Sequence, residues 1–207
     1  MKPGDKARVI ERYKRRLAQF GDDIRTLSSG TEERRKIRYQ VLCEVGVHNG
    51  ASVLDLGCGF GDFAGYLANC GVNVEYEGCD INPNLIEIAQ RKYPHAKFFV
   101  ADIQTDRFER TYDFVVSSSA FNNIMQDEDQ YVYAGEIIAR AYALCSEAVA
   151  IDFMTEYVDF KADGFYYSPE RLFTIAKTLT KRVCLRHDYP LFEFCLYLYK
   201  DFTGWGK

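Results

Sequence analysis

Residues 53–61, Val-Leu-Asp-Leu-Gly-Cys-Gly-Phe-Gly, constrain the fold more than any other stretch of the chain. A short run of strand formers carries an acid, Asp55. It then meets three glycines at alternate positions, Gly57, Gly59 and Gly61, with Cys58 and Phe60 between them. The run reads as a buried parallel strand. The glycines read as a turn whose backbone approaches a ligand where a Cβ would be in the way. The acid two residues before the first glycine sorts the ligands, because a carboxylate there repels phosphate and attracts an ammonium group.

A dinucleotide-binding turn is the rival reading. Gly59-Phe60-Gly61-Asp62-Phe63-Ala64 satisfies the loose G-x-G-x-x-G/A pattern. The turn already begins at Gly57, however, and Asp62 would stand at the helix N-terminus where a pyrophosphate has to sit. Downstream spacing favours the first reading. Val74 to Asp80 forms a second strand ending in an acid, placed one helix after the glycines, as a ribose-binding carboxylate should be. Ile81 follows, suited to lie against an adenine face, and Asn82-Pro83-Asn84 opens the next helix. A third strand over 97–101 ends in Asp102-Ile103, where a side-chain acceptor suits an adenine amine. Each acid alone fits a solvated strand end or helix cap. Three at the ends of three successive strands form a constellation.

The chain of 207 residues suits one well-buried α/β domain. Its 47% hydrophobic and 15% aromatic content indicates a globular fold. No apolar run approaches the roughly 20 residues of a membrane span, and the charged N-terminus lacks a signal peptide's apolar core. The seven cysteines lack a Cys-x-x-Cys pair and read as small buried hydrophobes in a reducing cytoplasm, not as disulfides or a metal site. Residues 1–40 hold twelve Lys/Arg against six Asp/Glu, although the whole chain carries a net charge of -4. The Arg12-Tyr13-Lys14-Arg15-Arg16 run reads as the solvated face of an amphipathic helix, with nucleic-acid contact as the alternative.

Helical patterns cover Lys6 to Phe20, closed by Gly21, and a second segment from a Ser29-Gly30-Thr31-Glu32 capping box to about Glu44. Strands at 52–56, 74–79, 97–101, 112–117 and 147–154 alternate with helices, including Asp62 to about Asn69 and a long one from about Asp129 to Leu144. That alternation indicates a Rossmann-like, doubly wound α/β fold with a mostly parallel sheet. Two last strands, 182–187 and 194–200, are joined by too few residues for a crossover helix and must pair antiparallel.

The 53–61 segment resembles the first motif of the class I S-adenosylmethionine-dependent methyltransferases, and the likeness extends over roughly residues 50–200. The resemblance implies a seven-stranded, mostly parallel sheet ending in an antiparallel hairpin, as the one-domain core (50–207) behind an N-terminal helical cap (1–49). It implies S-adenosylmethionine as cofactor and S-adenosylhomocysteine as product. In the family the glycine loop and first acid hold the methionine part, which falls here on Asp55, Gly57, Cys58, Gly59 and Gly61. The second acid binds ribose (Asp80, with Ile81) and the third motif surrounds adenine (Asp102, Ile103). The fourth strand's end, Ser117-Ser118, is expected beside the transferred methyl, and Arg38 of the cap is a candidate partner for the cofactor carboxylate. After that strand the chain reads Ser118-Ser119-Ala120-Phe121-Asn122-Asn123. This lacks the Asn/Asp-Pro-Pro-aromatic motif of nucleic-acid amino-methylating enzymes and the cysteine of cytosine-C5 enzymes, so a small-molecule acceptor is favoured.

Ligands of open α/β sheets gather at the carboxyl ends of the strands. Of three histidines only His187 ends a strand, so it is the candidate general base. Asn122 is a candidate for positioning substrate. The aromatic segment from Tyr157 to Tyr167 reads as a wall or lid, giving Phe121, Tyr166 and Tyr167 as candidate pocket residues. The expected function is methyl transfer to O or N of a small molecule by a cytoplasmic monomer or homodimer, with no membrane partner. RNA or protein substrates docked on the basic helices, a non-catalytic cofactor-binding protein, and an NAD-dependent oxidoreductase are the alternatives.

Overall fold

A computed structural model describes residues 1–27 and 30–200. Two helices, α1 (Pro3–Phe20) and α2 (Glu32–Cys43), precede β1 (Ser52–Leu56), α3 (Asp62–Asn69), β2 (Glu75–Asp80), α4 (Pro83–Lys92) and β3 (Lys97–Val100). Then come β4 (Tyr112–Ser117), α5 (Gln130–Leu144), β5 (Cys145–Met154), α6 (Pro169–Lys177), β6 (Val183–Arg186) and β7 (Glu193–Tyr199). The strands form one seven-stranded sheet in the order β3-β2-β1-β4-β5-β7-β6. The first five strands run parallel. β7 is inserted antiparallel between β5 and β6, with Glu193 opposite Met154.

Two local departures from the sequence reading have simple causes. α1 begins at Pro3, three residues before Lys6, because a proline in the first turn loses no helical hydrogen bond. α2 is capped by Thr31, whose hydroxyl accepts from the Arg34 N–H; Ser29 of the expected box lies outside the described residues. The sequence reading places no helix at α6. Its signals are present all the same: Ser168 caps by accepting from Arg171 N–H, Pro169 is the first residue and Glu170 lies in the first turn.

Side-chain alternation along the central strands feeds two apolar layers. Leu54, Leu56, Val115, Val149 and Ile151 pack on the side of α5 and α6, whose Tyr133, Ile137, Ile138 and Leu172 meet them. Val53, Phe114, Val116 and Ala150 pack on the other side with Leu42 of α2, Phe63 and Leu67 of α3 and Ile86 of α4. The cap is tied to this core by charge. Asp5 of α1 is buried and accepts from the backbone N–H groups of Gln126 (2.8 Å) and Asp127 (3.0 Å) in the β4–α5 connection. Burial by itself would raise the Asp5 carboxyl, but these donors and Arg8 outweigh it and hold it below its ordinary value. Arg35 of α2 reaches Asp62 of α3, which also takes Lys92 Nζ at 2.7 Å. No helix among the described residues is long and apolar enough to cross a membrane.

The β1–α3 turn admits only glycine at two of its positions. Gly57 has φ +69°, and a Cβ there would overlap that of Ala120. Gly61 has φ +74°, and a Cβ would stand 2.5 Å from the Phe98 ring. Left-handed backbone and overpacking together imply that Gly61→Ala costs about 2–4 kcal/mol of stability in urea unfolding. Because the clash is with one ring, Phe98→Leu in the same chain should return part of that loss. Strictly additive destabilisation would show that the ring is not the obstacle.

Candidate active site

The carboxyl ends of β1, β2 and β4, with the connection after β3, converge where the strand order reverses between β1 and β4, the crevice in which open α/β sheets bind ligands. A cavity there holds about 960 Å³ of empty space, counting its open mouth. Asp55, Gly57, Cys58, Gly59, Asp80, Ile81, Asp102, Ile103, Ser118, Arg38 and Phe121 all border it. α1 crosses its mouth and contributes Val9 and Tyr13.

The acids there are held differently. Asp55, 3% exposed, is pushed up to about 7 by burial, although it accepts a hydrogen bond from the Tyr76 hydroxyl. Asp80 rises to about 6 for the same reason, against three backbone N–H donors, including Asn82 at 2.8 Å and Gly59 at 3.1 Å. A carboxylate offers about four acceptor sites, so Asp80 keeps capacity for hydroxyl donors. Asp102 is already engaged. Its carboxylate takes the Met1 ammonium at 3.2 Å, Lys6 Nζ at 3.4 Å and the Gln104 N–H at 3.1 Å. It therefore anchors α1 while bordering the cavity beside Ile103.

A second chamber, about 1180 Å³ with its mouth, adjoins the first and shares Tyr13, Arg38, Ser119 and Asn123 with it. Asn122, Tyr166 and Glu193 line this chamber. Arg38 Nε lies 2.8 Å from Glu193 Oε2, off the line of a hydrogen bond, so its charge is shared before any ligand arrives. Burial raises Glu193 above the ordinary carboxylate range despite Arg38. Behind it, buried Asp152 rises to about 7 through burial and the nearby Glu193 charge. One of its oxygens accepts from Ser119 N–H at 2.6 Å, while Oδ2 has no hydrogen-bond partner. Ser119 sits at φ +56°, the one non-glycine with positive φ among the described residues. Strain of this kind gathers at functional sites.

Four candidates from the sequence lie elsewhere. Gly61 borders neither chamber and packs on Phe98. Ser117 is fully buried and donates to the Leu56 carbonyl at 2.8 Å, joining β4 to β1. Tyr167 is fully buried, donating to the Phe121 carbonyl and accepting from Gln130; it braces the loop after β4 and walls no pocket. His187 ends β6 at the outer edge of the sheet, exposed, against the rings of Tyr157 and Phe194, and lines neither chamber. Asn122 does line the second chamber, but its Oδ1 is committed to Met154 N–H at 3.0 Å.

Glu193, Ser119 and Asp152 escaped the sequence reading. Glu193 had a usable signal: in an antiparallel strand the first residue, not the last, reaches the carboxyl edge of the parallel ones. Ser119 and Asp152 had none, since nothing in the sequence marks a left-handed serine.

A family model described as a methyltransferase domain matches residues 53–142. A protein of Mycobacterium tuberculosis provisionally named as a methyltransferase is 29% identical over 158 residues, covering 72% of this chain and 93% of its own. Among solved structures, magnesium protoporphyrin IX methyltransferase from Synechocystis with bound SAH superposes with a TM-score of 0.67 at 17% identity, over 95% of this chain and 100% of that one. CalS10, an amino pentose methyltransferase from Micromonospora echinaspora with bound SAM, gives 0.62 at 13% identity, over 82% and 92%.

Raised carboxyls set the pH dependence of the ligand-free fold. Asp55 titrates near 7 when folded and near 3.8 when unfolded, so the native state holds the extra proton between these values. Its contribution is complete below pH 4 and is lost as pH rises through about 7. Asp80 adds the same sign up to about 6. The urea midpoint of the ligand-free protein should therefore fall between pH 5 and 8, and fall less in Asp55→Asn. An equal fall in both would remove Asp55 as a source.

Proposed function

We propose that the chain is a class I S-adenosylmethionine-dependent methyltransferase and that it transfers the methyl group of S-adenosylmethionine to an oxygen or nitrogen of a small molecule. The observation that carries this reading is the pair of adjoining chambers. One is framed by the glycine turn and by Asp55 and Asp80; the other is lined by a mixture of arginines, carboxylates and aromatic rings. The residues present fit the cofactor. Asp55 is a buried carboxylate short of a counter-charge, matching an ammonium group, and Asp80 has acceptor capacity left for ribose hydroxyls. Ile81 and Ile103 supply apolar faces for adenine.

Bound there, the cofactor supplies an electrophilic methyl on a sulfonium. The chain has to align the acceptor and remove at most one proton. Ser118 and Ser119 stand at the border between donor and acceptor, and Asn122 and Tyr166 wall the acceptor side. We assign the proton to Glu193 in place of His187. Its raised carboxyl faces the second chamber, whereas the histidine does not reach it. Small acceptors are also what the magnesium protoporphyrin IX and amino pentose enzymes are named for.

Calorimetry should detect S-adenosylhomocysteine binding and no NAD binding; the reverse would restore the oxidoreductase. Asp80→Ala should weaken that binding at least tenfold, the scale of a lost charge-assisted hydrogen bond (~1.5–3 kcal/mol). Incubation with methyl-labelled cofactor and a fractionated extract identifies the acceptor. With that acceptor, Glu193→Gln should slow transfer by about 100-fold with cofactor affinity kept, while His187→Ala stays near wild type. A slow His187→Ala beside a fast Glu193→Gln would return the base to the histidine.

A further inference from the structure

The second chamber has a charge opposite to that of the chain as a whole. The chain is net -4, yet four arginines line this chamber: Arg12 and Arg16 from α1, and Arg34 and Arg38 from α2. Among the described residues two carboxylates, Glu193 and Asp163, line it with them, which leaves two positive charges in surplus. Two of the arginines are spent within the fold. Arg38 faces Glu193, and Arg16 donates to the backbone carbonyls of Arg25 and Thr26, which pin the turn after α1. Among the described residues the other two form no ion pair, although the Arg34 charge is felt by Glu193. Arg12 makes a single long contact, 3.5 Å, to the neutral Asn123 Oδ1. Arg34 lies over the Phe192 ring, 5.7 Å from its centroid, with no described carboxylate within ion-pair distance.

Guanidinium groups that face a cavity and lack a carboxylate partner offer paired N–H donors for an oxyanion. The walls between them are aromatic: Tyr13, Phe160, Tyr166 and Phe192. Arg12, Tyr13 and Arg16 all border this space, so the basic run of α1 is only in part the solvated face that its pattern suggests. From this arrangement we propose that the methyl acceptor is a small acid, an apolar or aromatic body bearing a carboxylate or phosphate that Arg12 and Arg34 hold while the body lies among the rings. The inference rests on the methyltransferase reading above. It adds the charge of the substrate and the end by which it is held.

The test is calorimetry on the full chain saturated with S-adenosylhomocysteine, using 4-hydroxybenzoate, phenyl phosphate and the neutral methyl 4-hydroxybenzoate as probes. One or both acids should bind, at least tenfold more tightly than the ester, and whichever acid binds identifies the oxyanion. Arg12→Gln and Arg34→Gln should each weaken that acid by about tenfold while S-adenosylhomocysteine affinity stays unchanged, which also shows that the variants fold. Equal binding of acid and ester, no binding of either acid, or acid binding indifferent to both substitutions would overturn the proposal and leave the methyltransferase reading intact. Failure of the wild-type chain to bind S-adenosylhomocysteine at all would overturn both.

Discussion

Buried carboxylates along one edge of the sheet are the constraint from which the rest of this structure follows. Taking a carboxylate out of water is costly unless donors or cations replace the lost hydration. Asp5 and Asp102 are satisfied by that route, the first by two backbone N–H groups and Arg8, the second by Met1 and Lys6. In meeting their needs, α1 is drawn across the mouth of the crevice. Asp55, Asp80 and Asp152 are satisfied less fully, and these three are the aspartates raised to between about 6 and about 7. The under-compensated acids lie beside the chambers and the well-compensated ones fasten the cap. Stability is thereby concentrated in the tethers, and unspent electrostatic demand is left where a cationic ligand can meet it.

The same accounting explains Ser119. A left-handed non-glycine persists only when its surroundings over-determine it. Here the Asp152 Oδ1 accepts the Ser119 N–H at 2.6 Å and holds the turn from the β5 side. Asp152 in turn stands on β5 opposite Cys195 of β7, so the antiparallel insertion that brings Glu193 to the site also backs the carboxylate that fixes the strained turn. Fold and site are coupled through one strand pair.

How far sequence could reach follows from these dependencies. Strand patterning placed β1 and β4 to the residue and the start of α3 at Asp62, because these patterns are local. The glycine turn with Asp55, Asp80 and Ile103 was legible because close backbone approach and strand-end acids leave marks in the chain itself. Gly61 and Ser117 show the limit of the same logic. Both stand in the motif, yet one is glycine for the sake of the Phe98 ring and the other is serine to bond the neighbouring strand. His187 was chosen by the rule that strand ends carry the site, a rule silent about how many strands separate an end from the crevice. The insertion of β7 put His187 at the outer edge and carried Glu193, at a strand beginning, inward.

The acceptor side was opaque for a further physical reason. The first chamber is built mostly from strand ends and the turns that leave them, where geometry restricts residue type. The second takes its arginines from helix faces, Arg12 and Arg16 on α1 and Arg34 and Arg38 on α2, where a cationic side chain is ordinary on any exposed surface. Nothing local distinguishes an arginine facing a cavity from one facing water. The distinction is made by the tethers: Asp5 on the loop after β4 fixes how α1 is rotated about its axis, and Arg35 on Asp62 does the same for α2. A change in either tether would re-aim the arginines without touching the cofactor turn. The charge lining the second chamber therefore depends on tethers outside it, while the shape of the first depends on backbone geometry within the glycine turn.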